Sequence, residues 1–204
     1  DFIKNKQSFY IPNPSDSSFE ILNNFQNSCN VDVFFALSHG VHRGVLKSGK
    51  TDDRITFLDK LVSNTPDVKF DIYGIKKIQP IWADHYFKTI QNAKMGLNLS
   101  RGDAIKYYSS DRITQIIGNG LVCLIDEKTQ YNNFFNSKEM VFYKNLSDLS
   151  EKIMKVAKDE KLRKSIGRLG KLKYMKYFNS DLVAQFIINK TLDLNNKNKF
   201  FWEK

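Results

Sequence analysis

The sequence predicts a three-layer α/β domain built on a parallel sheet of about five strands. Three observations predict it. Short apolar runs recur along the chain, each closed by Gly, Ser or Asp. Amphipathic helical patterns alternate with them. The runs are apolar on both faces, as strands covered from both sides must be.

The first run is Val31–Leu37, ended by Ser38-His39-Gly40. A basic, glycine-containing loop follows. Thr51 or Asp52 then suits the cap of a helix reaching Ser63, with Ile55, Leu58, Leu61 and Val62 on one face. Asn64-Thr65-Pro66-Asp67 is a turn, and Val68–Tyr73 is the second strand, stopped at Gly74. Ile81–Asn92 reads as helix, with Trp82, Tyr86, Phe87 and Ile90 at helical spacing. Met95–Leu99 is the third strand. Ser109 or Ser110 suits the cap of a short helix to Ile117, which Gly118-Asn119-Gly120 terminates. Leu121–Ile125 and Met140–Tyr143 complete the sheet. Three helices follow: Ser147–Lys158, Lys161–Phe178 and Ser180–Leu192. The chain divides into a leading segment or interdomain linker (1–30), the α/β domain (31–178), and a C-terminal helix with a polar tail (179–204). In the leading segment, Pro12 and Pro14 exclude helix.

Composition bounds the function. The chain has 204 residues, 41% hydrophobic, enough to fill one core. No apolar run approaches the roughly 18 residues of a membrane span. Cys29 and Cys123 are far apart and form no CxxC pair, so neither a disulfide framework nor a zinc site is expected, and a cytoplasmic setting fits. His39, His42 and His85 lack metal-ligand spacing, and no metal is expected. The net charge of +10 favours anionic partners: phosphorylated small molecules, acidic lipid headgroups or nucleic acid. Aromatics do not interleave with basic residues as on a nucleic-acid-binding platform, which makes nucleic acid the poorest of these.

In parallel sheets, ligands bind beyond the C-terminal strand ends. Three loops qualify. The first carries Gly40, Arg43, Lys47, Lys50 and Arg54, where glycines let backbone amides approach an anion and four cations can neutralise a diphosphate. Its spacing is neither GxGxxG nor a P-loop. The second is Ser100-Arg101-Gly102-Asp103. The third, at the next helix start, holds Ser110, Arg112 and Gln115, with Arg112 offering a fork of donors. A plain reading stands beside these: a solvated basic loop and ordinary helix capping.

Three stretches carry a resemblance. They are Phe9-Tyr10-Ile11-Pro12-Asn13-Pro14-Ser15-Asp16, the segment Ser110–Val122, and Phe134–Tyr143 continued through Asp148-Leu149 to Arg163–Gly170. From about Phe9 to Phe178 the chain resembles the C-terminal, donor-binding half of a GT-B glycosyltransferase. It is most similar to the "glycosyl transferases group 1" type domain of CgeB-like proteins. That implies a Rossmann-like domain holding a nucleotide-diphosphate sugar as substrate, with no cofactor. The acceptor site and catalytic base would then belong to an N-terminal half of the same enzyme, leaving this domain inactive alone.

The resemblance also implies site roles. Gly40, Arg43, Lys47, Lys50, Arg54, Arg101, Ser110 and Arg112 would face the donor phosphates. Gln115, Ser100 and Gly120 would face the nucleotide and its ribose. Gln115 stands where the family commonly has a ribose-gripping Glu, and Tyr107 where the first acidic residue of its E-x7-E pair falls. Metal-free GT-B chemistry would rest on cations that stabilise the departing diphosphate. Further expectations are a homodimer through the last helix, whose Phe186, Ile187 and Ile188 would be exposed, and contact with the inner face of a membrane. The alternative is a non-catalytic basic α/β module that binds a polyanion or a partner protein.

Overall fold

The structure, a computed structural model, describes residues 8–37, 53–76, 78–108, 110–194 and 199–203. The expected basic loop, with Gly40, Arg43, Lys47 and Lys50, and also Ser109, lies outside the described residues.

All five expected strands form and all pair in parallel: β1 (Val31–Ala36), β2 (Phe70–Tyr73), β3 (Ala93–Asn98), β4 (Val122–Asp126) and β5 (Val141–Tyr143), in the order β2-β1-β3-β4-β5. The helices are α1 (Asp53–Asn64), α2 (Ala83–Ile90), α3 (Arg112–Gly118), α4 (Leu146–Lys158), α5 (Glu160–Tyr177) and α6 (Ser180–Thr191). Some boundaries differ from expectation, each for a local reason. Helix α2 starts two residues late, with Trp82 extended at its cap. Asn145, not Ser147, caps α4 by accepting from the Asp148 amide at 3.0 Å. Asp111 occupies the cap position of α3.

Side chains along a strand alternate between faces, so each strand feeds two cores. Val33, Phe35, Met95, Leu97, Val122 and Leu124 pack with Leu58 and Leu61 of α1 and Leu149 and Ile153 of α4. Phe34, Ala36, Cys123 and Ile125 face the other way, with Ile90 of α2, Ile113, Ile116 and Ile117 of α3, and Val183 and Phe186 of α6. Gly96 on β3 is needed because Ile116 lies against it; a Cβ there would come within 2.4 Å of that side chain.

The leading segment packs tightly onto the domain. Ser15 bridges to Asn179 in parallel fashion, and the Tyr174 hydroxyl donates to Asn13 O at 2.8 Å. Deeper in, Asn24 Nδ2 donates to Ile90 O at 2.7 Å and to Ala93 O at 2.9 Å, tying the segment to the end of α2 and the start of β3. The fully buried Arg163 of α5 donates to Asn24 O and Asn27 O, and Glu160 pairs with its charge. The C-terminal tail is equally involved. Trp202 is buried, with its ring 5.6 Å from that of Phe186 and 5.3 Å from that of Phe200. Phe186 is therefore core, contrary to expectation, while Ile187 and Ile188 are exposed. Among the described residues no helix is long and apolar enough to cross a membrane.

Asn24→Ala removes two buried hydrogen bonds and orphans two carbonyls. It is expected to lower unfolding stability by about 2–4 kcal/mol. Denaturant titration checks this; a loss below about 1 kcal/mol would contradict the tie.

Candidate functional site

Strand order fixes where a ligand can enter. The chain leaves β1 outward to β2, then crosses back to β3 on the other side of β1. Helix α1 covers one face of the sheet, and α2 and α3 cover the other. Between β1 and β3 the direction of winding reverses, and a crevice opens at their carboxyl ends. A cavity of about 590 Å³ lies there. Ala36 and Leu37 from the end of β1, the start of α2, the start of α3, and Phe19 and Glu20 from the leading segment line it.

Arg112 is the cation of this cavity. As the first residue of α3 it reaches back over the strand ends, donating from Nη2 to Leu99 O at 2.7 Å and from Nη1 to Ala36 O at 3.4 Å. Its guanidinium lies 5.2 Å from the Phe35 ring centroid. Nε is buried and has no hydrogen-bond partner among the described residues. Burial, and then the neighbouring Arg54 guanidinium, push the Arg112 pKa down to about 10. The side chain stays charged at neutral pH, and two guanidiniums share one corner. An anion beside Arg112 would offset the cost of holding its charge away from water.

Other predicted residues join it. Ser110 lines the cavity and donates from Oγ to Asn98 Oδ1 at 3.2 Å, at the end of β3. Gln115, three residues after Arg112 on α3, also lines it. Arg54 is buried beside Arg112 but off the cavity wall. Ser100 and Arg101 follow β3 and do not line the cavity. Gly120 lies at the opposite end of the sheet. It precedes β4 with φ +78°, and a Cβ there would meet Phe25 at 2.7 Å, so its place is set by packing.

Sequence reasoning missed Glu20, Phe19, Trp82, Tyr86 and Phe87, which complete the cavity wall. Trp82, Tyr86 and Phe87 were visible only as a helical stripe. Glu20 sits in a segment without periodicity, and no local signal marks it. Its carboxylate accepts from the Asp16 amide at 2.6 Å, and burial pushes its pKa up. Tyr86 Oη is buried without a hydrogen-bond partner among the described residues. No group of three His, Cys, Asp or Glu able to hold a metal ion occurs among the described residues.

The raised pKa of Glu20 carries a sign. A carboxyl that holds its proton more tightly when folded makes the fold lose stability as pH rises from the ordinary value of 4.5 through the raised one. At neutral pH the folded chain bears the full cost of ionising Glu20. Glu20→Gln keeps an acceptor for the Asp16 amide and removes that cost. The variant should melt higher than the parent at pH 7, with the difference vanishing below the ordinary carboxylate pKa of 4.5. A variant less stable at neutral pH would contradict this.

A search of curated protein sequences found no match. Solved structures with similar folds include TarM, with a TM-score of 0.63 at 14% identity over 91% of this chain and 39% of that one. Sucrose-phosphate synthase from Thermosynechococcus elongatus gives a TM-score of 0.59 at 11% identity, over 94% of this chain and 53% of that one. An α1,3-fucosyltransferase with GDP-fucose gives 0.55 at 13% identity, over 89% of this chain and 51% of that one. The chain thus spans two fifths to about half the length of these structures. The fold is the Rossmann-like α/β domain of GT-B glycosyltransferases. The sequence model of the glycosyl transferase-like family matches residues 54–189, most of the chain and including α3 with Arg112, and the chain belongs to that family.

Proposed function

We propose that this domain binds the nucleotide diphosphate of a sugar donor in the crevice between β1 and β3. In this reading it serves a glycosyltransferase that moves the sugar to an acceptor. The observation that carries the reading is Arg112, a half-buried cation lining a cavity at the strand ends, whose Nε has no hydrogen-bond partner among the described residues. Negative charge grows on the diphosphate as the sugar departs, and a fixed cation in a partly dehydrated site stabilises that charge. Ser110 adds a hydroxyl. Gln115 offers an amide that accepts from one ribose hydroxyl and donates to another. A TarM structure from S. aureus contains UDP and the fucosyltransferase structure contains GDP-fucose, which supports a nucleoside diphosphate as ligand. The catalytic base is assigned to an N-terminal half outside this chain.

Calorimetric titration with UDP, GDP and their sugars tests this. Arg112→Ala is expected to weaken binding by about 10- to 100-fold, the worth of a charge-assisted hydrogen bond. Circular dichroism should show the variant still folded. Absence of binding to any of these at millimolar concentration, or unchanged affinity in the variant, would overturn the reading. A basic polyanion module would instead bind DNA or acidic vesicles without discriminating bases, and would weaken steeply with salt.

A further inference from the structure

The cavity has two chemically different ends, and the second has no role in holding a diphosphate. Trp82, at the cap of α2, leaves 60% of its surface exposed while lining the cavity. Its backbone is held in place: its carbonyl accepts from the His85 and Tyr86 amides at 3.1 and 3.3 Å. Ala83, next along, adopts φ +46°, a conformation costly for a residue with a Cβ, and so turns the chain sharply just after the indole. Ile81, Tyr86 and Phe87 continue the same wall, and Phe19 supplies a second exposed ring from the leading segment. Tyr86 also neighbours Arg112 electrostatically, so the aromatic wall and the cation are adjacent. A ligand fitting both ends carries an anionic group next to a flat apolar ring.

The geometry points to Trp82 as the stacking platform for the ligand's nucleobase, a residue that selects ligands carrying a base over those without one. This rests on the donor reading above and adds to it the group that holds the base. Stacking uses the π-face that every base has, so Trp82 strengthens binding of UDP and GDP alike. It contributes nothing to inorganic pyrophosphate, which has no ring.

The chain has two tryptophans, and the other, Trp202, is 3% exposed in the aromatic core. Intrinsic fluorescence on ligand addition therefore reports chiefly on Trp82. The experiment titrates the full chain with UDP, GDP and pyrophosphate, by fluorescence and by calorimetry. UDP and GDP are expected to change the emission, and pyrophosphate to leave it nearly constant. Trp82→Ala should weaken UDP and GDP by about tenfold while leaving pyrophosphate affinity unchanged, and Trp82→Phe should restore most of the loss. Equal weakening of pyrophosphate, or UDP affinity indifferent to Trp82→Ala, would overturn the stacking role while leaving the donor site standing. Absence of any calorimetric binding of UDP or GDP to the parent chain would overturn both.

Discussion

The guanidinium of Arg112 lies across the ends of two neighbouring strands, and the shape and charge of the crevice between them depend on it. It donates to the last carbonyl of β1 and to the carbonyl just past β3, the two strands between which the winding reverses. One side chain satisfies both and places a positive charge in the crevice. The cost is a half-buried cation beside a second arginine, with its pKa lowered to about 10.

The opposite end of the sheet is closed by a different arginine. Arg163 is fully buried where Arg112 is half-buried; Glu160 pairs with its charge and backbone carbonyls of the leading segment accept its hydrogen bonds. The two cations differ in what satisfies them. Arg163 donates through every nitrogen, whereas Arg112 Nε has no partner among the described residues. With both faces of the sheet covered by helices, the carboxyl ends of the strands are where the parallel sheet opens to a ligand.

Much of the fold was legible in the chain. Each strand stands out as a short, mostly apolar run, because the central strands are buried on both faces and polar residues such as Asp32, Lys94 and Asp126 fall near their ends. Helices α4, α5 and α6 were legible from their periodicity to within a residue or two. Strand order was not, since a parallel sheet permits several orders for the same runs. That order puts Arg112 between β1 and β3 and sends Gly120 to the far end. Arg112, Ser110 and Gln115 were visible because one short helix start carries all three. Glu20 and Phe19 were not visible, because the leading segment joins the site through tertiary contacts at Ser15, Asn24 and Tyr174, which leave no local pattern. Phe186 and Trp202 were assigned to exposed helix and polar tail because their burial depends on each other.

The central claim is that the crevice between β1 and β3 is an anion site organised by Arg112. A crystal structure of the chain grown with UDP tests it most directly. Diphosphate density is expected within hydrogen-bonding distance of the Arg112 guanidinium, with the uracil on the α2 side of the cavity. Density for the nucleotide elsewhere, such as the groove beside Lys152 and Lys155 between β5 and α4, with the crevice empty, would contradict it.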